Sequence, residues 1–142
     1  MPLKLTIVTP EGVRYDGEVD QVVVPGAEGD FGVLPGHERF LAPVRIGELE
    51  VRGGRDPSRR FAAVSDGFAD VSAERVVVMV ESCEFAPDID EARAERARAR
   101  AERELERMRQ AREETHNFKV EEAALMRAIV RLQVSKKRGM AA

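Results

Sequence analysis

The chain has 142 residues, 23 of them basic and 26 acidic, for a formal charge of −3, with a single cysteine. That length holds one ordinary domain, or one small domain and an appendage, but not two full domains. Near-balanced charge provides no global field toward nucleic acid or an anionic membrane surface, and the lone Cys83 excludes an intrachain disulfide.

From Met1 the sequence enters strand-like alternation at once, without a basic leader, so no export or transit signal is expected. No window approaches about 18 consecutive apolar residues, so direct membrane insertion is not expected either. Leu3, Leu5 and Ile7 alternate with Lys4 and Thr6, and Val13, Tyr15 and Gly17 lead into Val19 and the run Val22 to Val24. These read as paired strands, ended by Pro25. Gly26, Gly29 and Gly32 are spaced for a tight loop between strands, and match neither a dinucleotide fingerprint nor a phosphate loop. Glu48 to Arg52, Phe61 to Val64, Phe68 to Val71 and Arg75 to Val80 supply further strands, separated by turns at Gly53-Gly54, Asp56-Pro57, Asp66-Gly67 and Ser72-Ala73. The expected fold is a mainly β N-terminal sandwich over 1–86, with about eight to ten short antiparallel strands.

At Pro87 glycine, valine and the alternation give way to a run of Ala, Arg and Glu. Asp88, with Glu91 three residues on, resembles a capping box, which predicts a helix from Ile89. Ala94, Ala97, Ala101, Leu105, Met108 and Ala111 form a narrow apolar stripe on a charged rod. After two candidate caps in Thr115-His116-Asn117, Ala124, Leu125, Ala128, Ile129 and Leu132 form the face of a second helix. The second unit is therefore an α-helical antiparallel hairpin over 87–135, followed by a disordered tail over 136–142. Its apolar area is small and mostly alanine, so the hairpin must lean on something else and its position is expected to be switchable.

The side chains needed for chemistry are mostly missing. His37, His116 and Cys83 are too few and too scattered for a metal site, and no coherent acid, base and nucleophile set exists, so neither metal nor catalytic residues are expected. The arginines of the helical half are interleaved with Glu91, Glu95, Glu102, Glu104 and Glu106, which by default makes a solvated, self-paired face. A sharper alternative is that an antiparallel hairpin gathers Arg93 and Arg100 with Arg127 and Arg131. Guanidinium groups match phosphate oxygens, and Asp90 would orient the rest of a nucleotide.

Three stretches carry a family resemblance. They are Thr9-Pro10-Glu11-Gly12 with Tyr15-Asp16-Gly17-Glu18-Val19, then Val24-Pro25-Gly26-Ala27-Glu28-Gly29-Asp30-Phe31-Gly32-Val33-Leu34-Pro35-Gly36-His37, and Ala63-Val64-Ser65-Asp66-Gly67-Phe68-Ala69-Asp70-Val71, where Asp66 replaces a usual Gly. Together they resemble the ε subunits of bacterial F-type rotary ATP synthases, from Leu3 to about Val134. The resemblance implies a non-catalytic rotor subunit that binds the γ subunit and the c-ring and helps couple proton-driven rotation to ATP synthesis. It further implies that the hairpin regulates ATP hydrolysis by extending toward the α and β catalytic subunits. A loop at Glu28 to Phe31 is then expected at the rotor interface, with Asp30 and His37 as its contacts. Ile89-Asp90-Glu91-Ala92-Arg93-Ala94 also resembles the motif with which some members bind ATP. By that resemblance Glu84, Ile89, Asp90, Arg93 and Ala94 would cradle a regulatory ATP, while Arg100, Arg127 and Arg131 would meet base, ribose or phosphates. No cofactor is required. The implied location is peripheral, at the cytoplasmic face of a bacterial plasma membrane. The reading from another class is a free-standing adaptor that binds unrelated proteins or RNA, and the charge balance opposes its nucleic-acid form.

Overall fold

The computed structural model describes residues 2–54, 59–112 and 116–138. Among these, ten strands run in chain order: β1 (Leu3–Thr9), β2 (Gly12–Val19), β3 (Gln21–Gly26), β4 (Gly29–Val33), β5 (Phe40–Val44), β6 (Gly47–Arg52), β7 (Arg59–Val64), β8 (Gly67–Val71), β9 (Arg75–Val80) and β10 (Cys83–Phe85). A short 3-10 turn (Ala86–Asp88) leads to helices α1 (Glu91–Gln110) and α2 (His116–Ser135). The expected order of a β-sandwich followed by a helical hairpin holds. The turn expected at Asp56-Pro57 and the cap at Thr115 lie outside the described residues.

The hydrogen-bonded order is β10-β7-β6-β3-β5-β8-β9-β1-β2, with β4 paired to β3. A single pair, Gly26 with Val44, joins β3 to β5, so the chain of strands bends there into two facing layers. Leu3, Leu5 and Ile7 of β1 are fully buried between them, against Val22 and Val24 of β3, Leu49 and Val51 of β6, and Val76 and Val78 of β9. One pairing departs from the antiparallel expectation, because β1 runs parallel to β9.

Two local differences from the sequence reading have simple causes. In β2 the register slips between Ile7 and Val8, leaving Arg14 as an extra residue. This bulge turns Val13 outward, 62% exposed, while Tyr15 stays in the core. Gly26 pairs with Gly29 and Pro25 with Asp30, so only Ala27 and Glu28 form the turn. Asp30 and Phe31 are therefore strand residues of β4, not part of a loop. Gly29 makes this possible at φ +135, a conformation other residues rarely adopt.

β7 decides where the helices sit. Its last four residues are all buried: Ala62 and Val64 face the sandwich, whereas Phe61 and Ala63 face α2. That double burial explains a continuous apolar run in place of alternation. Val130 and Val134 of α2 meet Phe61 and Ala63 there, with Ala86 and Ile89 completing the cluster. The face expected from Leu125, Ile129 and Leu132 is only half-buried, because α2 divides its apolar residues between α1 and the sheet. Burial of Val130 and Val134 contributes roughly 3–6 kcal/mol before ordering costs, enough to hold a hairpin but not to lock it.

Ile89 also moves the start of the helix. Its backbone stays extended, at φ −78 and ψ 125, which lets its side chain enter this cluster. The helix therefore begins at Glu91 and its cap is Asp90, not Asp88, which belongs to the 3-10 turn. Along α1 the stripe buries Ala94, Ala101, Leu105 and Met108, whereas Ala111 is exposed at the C-cap. Lys136–Arg138, placed by the sequence reading in a disordered tail, form a turn. Lys137 pairs with Glu48 at 2.6 Å and Arg138 with Glu91 at 3.1 Å, tying the end of α2 to the sandwich and to the start of α1.

Candidate functional site

At the nucleotide-like motif, Asp90 accepts a hydrogen bond from the Arg93 amide at 3.0 Å, which satisfies a first-turn donor. Ile89 and Ala94 are buried at 4% and 3%. Three positions of the motif thus have structural work in this conformation. The Arg93 side chain is exposed and makes no hydrogen bond or ion pair among the described residues.

Arg127 and Arg131, one helical turn apart on α2, overlie the β7 end at Ser65 and Ser82, in a crevice with no room for a water molecule. Arg131 forms an ion pair with Glu84 of β10. Ser65 accepts hydrogen bonds from the Ser82 amide at 2.9 Å and the Ser82 hydroxyl at 3.1 Å, and has no catalytic arrangement around it. Arg100 lies elsewhere, beside Glu104 and Met108 of α1 and Asn117 and Val120 of α2. The fold thus joins Glu84, Arg127 and Arg131 in one place and puts Ile89, Asp90, Arg93 and Ala94 at the root of α1, with Arg100 along a separate groove. Most other α1 arginines follow the default reading: Arg98 pairs with Glu95 and Glu102, Arg107 with Glu104, and Arg109 with Glu106.

Asp30 forms an exposed ion pair with Arg45 beside the turn of the β3–β4 hairpin. His37 packs against Phe40 at 5.1 Å between ring centres, and Phe40 meets Phe31 edge-on at 5.3 Å. Asp30, the residue before Phe31, and His37 thus both adjoin this aromatic group.

A further feature escapes a reading of single strands. Register sets Pro43 opposite Phe68, Phe68 opposite Met79, Met79 opposite Val8, and Val8 opposite Val13. All five point away from the core, because their strand neighbours Val44, Ala69, Val80 and Ile7 point inward. At about 4.8 Å per strand the row extends about 19 Å across β5-β8-β9-β1-β2. Phe68 is 51% and Met79 42% exposed, and Leu41, at 65%, adjoins the row. The available signal was an apolar residue on both parities of β9, where Met79 stands between Val78 and Val80; the bulge at Arg14 concealed Val13. The next row, Leu41, Asp70, Val77, Thr6 and Asp16, is more polar, so the apolar stripe is bounded on that side.

No described helix is long and apolar enough to cross a membrane, and no cluster of three metal-ligating side chains occurs among the described residues.

Comparison with known proteins follows the division of the fold. Residues 2–86 match the model of the ATP synthase Delta/Epsilon chain beta-sandwich domain, and residues 88–136 that of the Delta/Epsilon chain long alpha-helix domain. ATP synthase epsilon chain 2 of Syntrophotalea carbinolica is 43% identical over 137 residues, covering 96% of both chains. The ATP synthase epsilon chain of Citrifermentans bemidjiense is 43% identical over 135 residues, covering 95% of this chain and 94% of its own. That of Halalkalibacterium halodurans is 39% identical over 133 residues, covering 94% and 96%. Among solved structures, a chain of the Euglena gracilis mitochondrial ATP synthase OSCP/F1/c-ring assembly superposes with a TM-score of 0.64 at 20% identity, covering 95% of this chain and 78% of that one. A chain of the Tetrahymena thermophila mitochondrial ATP synthase central stalk and c-ring gives 0.52 at 13% identity, covering 63% and 70%. These distant likenesses carry the fold alone, whereas the two family models together, and each of the relatives above 30% identity, span nearly the whole length. With both halves matched in their order, the chain belongs to the ATP synthase Delta/Epsilon chain family.

Proposed function

We propose that the chain is a non-catalytic central-stalk subunit of an F-type ATP synthase, held peripherally at the cytoplasmic face of a bacterial membrane. The observation that carries this reading is the outward apolar row of the sandwich, on a chain of this family. A row of Pro43, Phe68, Met79, Val8 and Val13 is costly to leave in water and suits a large apolar partner surface. The γ subunit takes that role, and the c-ring meets the sandwich at Asp30 and His37. Rotation is thereby coupled to synthesis through a rigid β body.

The hairpin is the regulatory part. Its hold on the sandwich rests mainly on Val130 and Val134 and on ion pairs of Arg131 and Lys137. A modest differential contact energy would therefore release it to extend toward α and β and obstruct hydrolysis. ATP is the ligand that opposes release. Arg93, Arg100 and Arg127, without ion-pair partners among the described residues, would receive its phosphates or ribose, with Glu84 moving off Arg131 as the closed crevice opens.

The test is titration of the full chain with the cognate γ subunit. Phe68→Asp, at a half-exposed position, leaves the sandwich folded and weakens γ binding by about 100-fold, since a carboxylate is desolvated in an apolar contact. Wild-type affinity in that variant removes the proposed surface. For the hairpin, the Arg127→Ala, Arg131→Ala pair lowers ATP affinity by about tenfold or more in calorimetric titration, and unchanged affinity removes the nucleotide assignment.

A further inference from the structure

A second basic cavity lies apart from the nucleotide crevice, at the junction of β2, β7, the 3-10 turn and the end of α2. Its volume is about 190 Å³. Five cations line it: Arg14 of β2, Arg59 and Arg60 of β7, and Lys137 and Arg138 after α2. Among the described residues no carboxylate does, and the remaining walls are apolar, with Tyr15, Phe61 and Phe85 providing aromatic faces.

The charges are only partly compensated from outside. Glu50 serves both Arg52 and Arg59, each at 2.7 Å, while Glu48 pairs with Lys137 and Glu91 with Arg138. Arg14 and Arg60 have no carboxylate partner among the described residues. Arg60 lies over the Tyr15 ring at 4.9 Å and donates through Nη2 to the Tyr15 hydroxyl and the Gly53 carbonyl, both at 3.0 Å. Its Nε is buried with no hydrogen-bond partner among the described residues. A chain of net charge −3 thus concentrates unpaired positive charge and an unused buried donor around one small cavity.

Size and charge select the ligand class. The cavity has the share of liquid of about six waters, and is smaller than the roughly 300 Å³ at which sites for drug-sized ligands begin. We propose that it binds a small phosphate dianion, inorganic phosphate or diphosphate, and not a whole nucleotide. The Arg14 guanidinium, without a partner among the described residues, offers bidentate geometry to the oxygens, Arg60 and Lys137 add positive charge beside it, and the aromatic walls exclude competing water.

The site has a mechanical consequence. Lys137 and Arg138 belong to the hairpin, whereas Arg14, Arg59 and Arg60 belong to the sandwich, so the anion binds only when α2 is docked. Phosphate is then a clamp on the docked hairpin. At ten times its dissociation constant it multiplies the docked-to-undocked ratio by about eleven, provided the undocked state does not bind it.

The experiment uses the full chain at fixed ionic strength, with phosphate or diphosphate replacing chloride. Binding is followed by calorimetry and α2 docking by amide hydrogen exchange. Saturable binding is expected, together with slower exchange of α2 amides by up to about tenfold. Arg14→Gln and Lys137→Gln each weaken binding by about tenfold, and Arg14→Gln, at an exposed position outside the core, keeps the fold intact. Arg127→Gln, in the other crevice, leaves phosphate binding unchanged, so failure of the ATP assignment is separable from failure here. Absence of saturable binding, or binding indifferent to both Arg14→Gln and Lys137→Gln, overturns the site. Binding without slower α2 exchange overturns the clamp.

Discussion

Val134 is fully buried near the end of α2, between Phe61 and Ala63 of β7 and Ile89 of the linker. Truncating it to alanine probes the hold of the hairpin without touching the sandwich core. Two carbon groups leave an apolar site, at about 0.8 kcal/mol each, for about 1.6 kcal/mol of lost transfer energy. If some 40 Å³ of the space remains empty, about 1 kcal/mol more is lost at ~24 cal/mol per Å³. The loss of about 1.6 to 2.6 kcal/mol falls on docking, not on global stability, because the perturbed contacts join the two units. At 1.4 kcal/mol per tenfold, undocking becomes about 15- to 70-fold more populated. Amide hydrogen exchange of the full chain reads this directly: Ala128 to Val134 of α2 exchange faster by that factor, while β1 and β9 amides keep their protection. Unchanged α2 exchange would show that Val134 does not carry the contact. Equal acceleration in β1 and β9 would show that sandwich and hairpin are one cooperative unit.

Other expectations are independent of the hairpin. Burial pushes the Cys83 thiol from its ordinary 9.0 up to about 12, so at neutral pH its thiolate fraction falls about a thousandfold. Alkylation should be correspondingly slow in the native chain and ordinary after denaturation; equal rates would contradict the packing of β10. Burial alone would raise the Glu50 carboxyl, but hydrogen bonds and charge from Arg52 and Arg59 outweigh it and hold the group below its ordinary 4.5. The stabilisation is therefore present above that value and lost as pH falls through the lower folded value. A melting series from about pH 7 to pH 3 should fall less steeply for Glu50→Gln than for the parent chain, and parallel curves would show that the triad is not coupled to folding. A Cβ at Gly67 would lie 1.9 Å from the Met79 carbonyl oxygen and 2.8 Å from the Val80 Cα. Gly67→Ala should therefore cost about 3 kcal/mol or more in denaturant unfolding, and a cost below about 1 kcal/mol would mean that β8 and β9 pair less closely.

Much of the architecture was legible because it rests on periods that short stretches of chain display. Leu3, Leu5 and Ile7 announce a half-buried strand, and the change at Pro87 announces the second unit. What stayed hidden depends on partners distant in sequence. The extended backbone of Ile89 follows from Phe61 and Val134, neither of which a local capping rule consults. The bulge at Arg14 is visible only once β1 lies opposite β2, and with it the orientation of Val13. At the candidate sites, spacing grouped Arg93 and Arg100 with Arg127 and Arg131, whereas Glu84 entered only through the family resemblance and its pairing with Arg131 is a matter of tertiary packing. Spacing could not separate Arg100 from Arg127, because that depends on how α2 rotates to satisfy both α1 and β7. The cationic cavity draws on β2, β7 and the end of α2, and has no continuous sequence mark at all.

β1 has its antiparallel neighbour β2 available within ten residues, but its other edge must wait for the parallel strand β9. Translation proceeds at about 5–20 residues per second, so that edge stays unpaired for roughly 4 to 14 s while the intervening chain emerges. Joining distant parallel strands is slow even after synthesis, because a long loop must close before any contact rewards it. The hairpin has the opposite character: its helices are neighbours in sequence, emerge after the sandwich and pair locally. Nascent chains ending before Val80 thus present an open strand edge rich in Leu, Ile and Val, and are the forms most in need of a chaperone. Chains ending anywhere after β10 already carry a closed sandwich.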